Sequence, residues 1–335
     1  MLPDQRDVKP LKKRARTSSR EENSPTDSTF CRSEIWYDDG NVILIAENTG
    51  FKVYKGLLSE VSPVLAKMLS LPTIDKPLDG CQVLTLTDSA SDVTHLFKAL
   101  HKRHYFRDDA THPFAVVSAV LRLGRKYCID DLRGDALSCL ETDFPCTLKE
   151  YLKFGRDWQA IDGSCGTTIE VIRLAREVDL LKILPVAFYV TSEFDSPMWL
   201  ELAFDGKRQD DGTVVKLSSE DQARLVNGRE RLVRAQAKHS FSWLDGCVPN
   251  KKAGCRWAKA KLLRKLWYPC PQVVALSPWD EEWESGLCTE CIAAAKHAFE
   301  EGKKQVWDEL PAIFDLPPWG TLIPDRVDGD APDSS

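Results

Sequence analysis

The sequence predicts an α+β protein: a small N-terminal sheet covered by helices, followed by a mostly α-helical C-terminal region. Three observations carry this. Val42 to Ala46 is a short apolar run rich in β-branched residues, and Phe51 and Val53 alternate with Lys52 and Tyr54 as the second arm of a hairpin. Directly after it the apolar spacing changes from two to about 3.6. From Thr147 onward the apolar stripes recur at helical spacing.

Taken in order, Ile35, Trp36 and Tyr37 read as an edge segment leading into the first strand. The turn is expected at Asn48-Thr49-Gly50, because Asn and Gly tolerate positive φ. Leu57, Leu58 and Val61 make one helical stripe, and Leu65, Met68 and Leu69 another. Between them Ser62 suits an N-cap and Pro63 the first helical position. Val83, Leu84 and Leu86 read as a third strand. Ser89 caps the next helix, with Asp92 in capping-box position and Val93, Leu96, Phe97 and Leu100 on one face. His112-Pro113 is expected to open a helix that ends near Gly124, and Asp130 or Asp131 to cap the one after it.

Further on, Leu148, Tyr151, Leu152 and Trp158 form a stripe, 163–166 is a break, and Ile169, Ile172, Leu174, Ala175 and Val178 form another. Leu184-Pro185 opens a third helix, and 206–212 reads as a polar loop. Ser218 with Asp221, or Ser219 with Gln222, starts a helix expected over 220–243, with a basic face open to an acidic partner or, in the plainer reading, solvated by water. A further basic helix is expected from about Arg256 to Trp267. At the end, Trp307, Phe314 and Trp319 form an aromatic clasp expected to close on the helical region.

The stretch from 40 to 70 resembles the BTB/POZ domain: Phe51-Lys52-Val53-Tyr54, then Leu58, Ser62, Leu65 and Met68 at the family's spacing. Tyr54 stands where His is usual and Leu65 where Phe is usual. The ending from Trp307 through Leu310-Pro311 and Phe314 to Trp319 is similar to one found in fungal BTB/POZ proteins. The resemblance implies a domain over 31–145; apolar spacing gives a helical region over 146–322, and composition gives disordered tails at 1–30 and 323–335. It also implies action by protein contact, through homodimerisation or docking on a cullin-type ubiquitin-ligase scaffold. Leu57, Leu58, Val61, Leu65 and Met68 are the candidate residues for self-association.

A net charge of −6 over 335 residues argues against nucleic-acid binding by the chain as a whole. No apolar run approaches the roughly 18 residues of a membrane span. The polar start, Met1 to Lys9, lacks the apolar core of a secretory signal. An intracellular protein, nuclear or cytoplasmic, is therefore expected. Residues 1–30 hold too few apolar groups to offset ordering entropy and read as disordered. Within them Lys12, Lys13, Arg14 and Arg16 resemble a nuclear-import signal, and a solvated charge run is the plainer reading.

The chemistry-bearing arrangement is late. Cys247 and Cys255, read as a loop pair, and Cys288-Thr289-Glu290-Cys291 can supply four thiolates to a structural zinc. His297 is a substitute ligand. Two other readings stand beside this one: buried cysteines that fill core, and a redox pair at Cys288 and Cys291. No phosphate loop, nucleophile elbow or H-E-x-x-H motif occurs. The expectation is a non-enzymatic protein-interaction module. A nuclear regulator with a zinc-stabilised C-terminal region and a thiol-redox protein are the alternatives.

Overall fold

The computed structural model describes residues 30–71, 77–107, 110–154, 157–209, 212–245 and 253–323. Lys12, Lys13, Arg14, Arg16, Cys247 and the segment after Ile323 lie outside the described residues.

Four strands form one mixed sheet: β1 (Cys31–Trp36), β2 (Val42–Ala46), β3 (Thr49–Val53) and β4 (Gln82–Leu86), in spatial order β1-β3-β2-β4. The hairpin pairs Val42 with Val53 and Ala46 with Thr49, and β4 lies parallel to β2 on its other side. The expected three strands are thus present, joined by β1, which lies parallel to β3. The turn is one step earlier than expected. Glu47 takes the positive φ of 50°, and Thr49 and Gly50 already belong to β3. Gly50 is instead needed for packing: a Cβ there would sit 2.2 Å from the Phe30 ring.

Helices α1 (Lys55–Val61) and α2 (Pro63–Ser70) follow, with the Ser62 hydroxyl accepting the Leu65 amide at 3.0 Å. The same hydroxyl donates to the Tyr127 carbonyl, which ties the start of α2 to a distant helix end. Helix α3 (Ala90–His101) is capped by Ser89. Phe51 and Phe97 meet edge to face at 5.3 Å in the core between sheet and helices.

His112-Pro113 does not open a helix. It forms β5, paired in parallel with β6 (Ile161–Asp162). Helix α4 (Phe114–Tyr127) begins one residue later and runs past Gly124, ending where Cys128 adopts φ 52°. Gly124 is where α4 approaches the Arg133 backbone. Ile129 precedes α5 (Asp130–Asp143), so Asp130 and Asp131 lie in its first turn instead of capping it. There the helix dipole favours them.

The C-terminal region is α6 (Leu148–Phe154), α7 (Thr167–Glu177), α8 (Leu184–Ser192), α9 (Met198–Phe204), α10 (Ser219–Lys238), α11 (Ala253–Trp267), α12 (Thr289–Ile313) and α13 (Trp319–Leu322). Trp158 lies beyond α6. The expected loop at 206–212 carries the arms of a hairpin, β7 (Lys207–Arg208) with β8 (Val214–Val215). Helix α10 starts at its Ser218 cap but stops at Lys238, and a 3-10 turn, Ser242–Asp245, follows.

Helix α8 is apolar nearly all round and sits at the centre of the main core. Its Thr191 and Ser192 hydroxyls are satisfied by the Ala187 and Phe188 carbonyls, each at 2.8 Å. That core is continuous from α4 to the expected clasp. Trp307 and Trp319 stack at 5.4 Å, and Phe188 stacks on Phe314 at 5.4 Å. A separate core joins Phe241, Trp243, Trp283 and Phe299 beside the late cysteines.

Two helical glycines give a direct check on this packing. A Cβ at Gly302 would come within 2.5 Å of the His239 and Ser240 backbone, whereas one at Gly134 meets nothing within 4 Å. Gly134→Ala is expected to stabilise by ~0.5–1 kcal/mol. Gly302→Ala is expected to destabilise by ~1–3 kcal/mol through overpacking. Urea unfolding reads both, and the same sign at the two sites contradicts the crossing of α12 over residues 239–240.

Candidate metal centre

Two elements distant in sequence bring the late thiols together. Cys288 is the N-cap of α12, in extended conformation at φ −83° and ψ 162°, so the chain turns sharply into the helix there. Cys291 follows in the first turn. Cys255 comes from the first turn of α11, a helix, where the sequence suggested a loop. The three sulfur atoms lie within 4.8 Å of one another. Cys255 and Cys291 are buried at 2% and 1% exposure, and Cys288 is half-buried.

The donors suit a thiophilic dication. Sulfurs bound to a tetrahedral zinc at about 2.3 Å stand roughly 3.8 Å apart, so the trio needs only a small contraction to close on an ion. The Cys288 amide donates to the Cys255 sulfur at 3.3 Å, across 33 residues of sequence. Such a bond strengthens as the sulfur gains negative charge. The N-terminus of α12 adds its positive dipole end beside Cys288 and Cys291. Lys259 lies one turn beyond Cys255 on the same face of α11. It is buried, and its ammonium donates to the Trp243 carbonyl at 2.7 Å. Three thiolates on a dication leave one net negative charge, which these positive groups offset in part.

Aromatic side chains exclude water from the neighbourhood. Trp283 and Phe299 are 5.1 Å apart, Phe241 and Trp283 5.2 Å, and Trp279 and Phe299 5.6 Å, all edge to face. Burial, together with hydrogen bonds to the Cys288 and Cys255 thiols, pushes the Cys291 thiol up to about 11. Close thiols resist ionising together, and a bound cation reverses that balance. A nucleophilic redox cysteine needs the opposite shift.

Of the sequence candidates, Cys255, Cys288 and Cys291 are brought together. Cys247 lies outside the described residues. His297 is exposed on α12 and takes no place in the cluster. The ten tryptophans, several of them late in the sequence, point to a second core built on large aromatics, and the core around Trp243, Trp283 and Phe299 is that core. Lys259 has no such signal, since in sequence it is one more charge on a basic helix.

The self-association candidates divide. Leu58 and Leu65 are spent in the sheet core, at 0% and 1% exposure. Val61 and Met68 are half-buried against that core, and Leu57 is half-buried. No helix of the described residues is long and apolar enough to cross a membrane. No family model and no curated protein matches this chain.

In reduced, chelator-treated protein, Cys291 is expected to resist iodoacetamide at neutral pH while the exposed Cys165 and Cys270 react. Its labelling is expected to rise only as the pH nears its raised pKa. Peptide mass spectrometry reads the modification, and preferential labelling of Cys291 at neutral pH contradicts this arrangement.

Proposed function

We propose that this chain is a non-enzymatic scaffold protein whose C-terminal region is fastened by a structural zinc on Cys255, Cys288 and Cys291. The convergence of three sulfurs within 4.8 Å, from the starts of two helices, carries this reading. A structural metal needs closed, soft, buried ligands. The core beside the thiols is small, and small cores commonly need a metal or disulfide to hold them. In a nuclear regulator of this kind the basic cluster Lys12 to Arg16 would supply import, and the metal-fastened region would present a fixed surface to partners.

Metal analysis of the purified full chain tests the site. About one zinc per chain is expected, falling to well below that in Cys291→Ser. Zinc-free protein prepared under reducing, chelator-free conditions overturns the reading. The same measurement on Cys247→Ser reads the expectation that Cys247 completes the ligand set.

The N-terminal sheet and helices are proposed to act as a BTB/POZ-type interaction module. The order hairpin, α1, Ser62 cap, α2 and returning strand supports this, since the resemblance implies that order. The part-exposed Leu57, Val61 and Met68 are the residues left for partner contact. Size-exclusion chromatography with light scattering is expected to give a homodimer that Leu57→Asp converts to monomer. A monomeric parent chain that also captures no cullin overturns this half of the proposal.

A further inference from the structure

Helix α11 has two unlike faces. One is buried and carries Cys255, Ala258, Lys259, Leu262 and Leu266. The other carries Trp257, Lys261 and Arg264, and Tyr268 continues its line just past the helix end. These spacings of four and three residues keep the side chains on one face. Trp257 is 69% exposed and Tyr268 67%, more than any other large hydrophobic side chain among the described residues. Each has a cation over its ring: the Lys261 ammonium 5.6 Å from the Trp257 centroid, and the Arg264 guanidinium 5.5 Å from that of Tyr268.

The charge on this face is unbalanced. Helix α11 contains no acidic residue. Among the described residues its one ion pair is Lys265 with Glu282, at 2.5 Å. Arg256, Lys261 and Arg264 have no carboxylate partner among those residues, in a chain whose net charge is −6. Beside them lies a groove of about 440 Å3. Trp257, Lys261 and Lys265 line its α11 side, and Glu282, Trp283 and Gly286 line the other.

Unpaired cations next to exposed aromatic area match a ligand that is both anionic and apolar. The far wall narrows the class. Glu282 on that wall already holds Lys265, and the exposed Glu281 adjoins it in sequence, so a continuous polyanion laid along the groove competes with one carboxylate for Lys265 and meets repulsion from the other. Each exposed ring also has one face taken by its own cation, which halves the surface open to stacked bases. A peptide sets its charges singly and can keep them on the α11 side. Trp, Tyr and Arg are the residue types that dominate protein-binding energies.

We propose that this groove docks a short segment of a partner protein in which acidic side chains flank an aromatic or large aliphatic anchor. The anchor packs on Trp257, and the acids pair with Lys261 on the groove wall and with Arg264, which lies outside the groove on the same face of α11. The inference shares with the proposed function the premise that the chain works by contact. It uses neither the Leu57 face nor the metal ligands, so it can fail while that reading stands.

Fluorescence anisotropy on the full chain tests it, with a fluorescein-labelled peptide of about twelve residues in which Asp and Glu surround a central Phe-Leu. Binding is expected to weaken about tenfold in Trp257→Ala, and by a similar factor in the Lys261→Glu, Arg264→Glu double variant. Replacing the peptide's acids by Asn and Gln is expected to cost about as much. Both variants alter exposed positions. Circular dichroism and zinc content matching the parent chain separate lost docking from lost structure or lost metal. Equal binding of the neutral peptide, undiminished binding by both variants, or tighter binding of a single-stranded oligonucleotide of similar length overturns the proposal.

Discussion

Helix α12 is the constraint on which the C-terminal region depends. Its 25 residues span about 37 Å. The first turns belong to the smaller core, through Cys291, Ala295 and Phe299. The last turns belong to the main core, through Val306, Trp307, Leu310 and Ile313. Gly302 lies between the two stretches, where α12 crosses the backbone that leaves α10. A side chain there would push the crossing apart. One rigid element therefore fixes where the thiol cluster stands relative to the aromatic clasp of Trp307, Phe314 and Trp319.

What α12 does not fix is α11. That helix gives one apolar stripe to the smaller core and leaves an aromatic, cationic face in solvent. Burial of Leu262 and Leu266 accounts for part of its attachment, at about 1.5–3 kcal/mol for each fully buried side chain. The Lys259 bond to the Trp243 carbonyl adds directional hold near its start. A metal shared by Cys255, Cys288 and Cys291 would join α11 to the head of α12 by bonds far stronger than either. It would also set the separation of the groove walls, since the wall at 282–286 leads directly into Cys288.

Much of the fold was legible because local signals and tertiary packing agree. The Ser62 and Ser218 caps, the strands Val42–Ala46 and Gln82–Leu86, and the α8 segment are each specified by nearby residues. The misreadings have physical causes. Gly50 looked like a turn residue, but its value is room for Phe30, a contact made across sequence. His112-Pro113 looked like a helix start, yet its backbone pairs with Ile161-Asp162, a partner no local pattern announces. Gly124 looked like a helix stop and instead admits a neighbouring helix. At the site, the C-x-x-C spacing marks two of the three clustered thiols. Cys255 is marked only as half of a widely spaced pair with Cys247, because the approach of α11 to α12 is a tertiary fact. Lys259 was hidden, because a buried lysine and a solvated one look alike in a basic helix.

The most direct measurement of the central claim is amide hydrogen exchange of the full chain before and after zinc is removed with a chelator under reducing conditions. If a metal ties α11 to α12, the amides of 256–267 lose protection on removal, those of α8 keep theirs, and re-added zinc restores the pattern. Unchanged exchange across 256–267 would contradict the claim, because packing alone would then suffice to hold α11 in place.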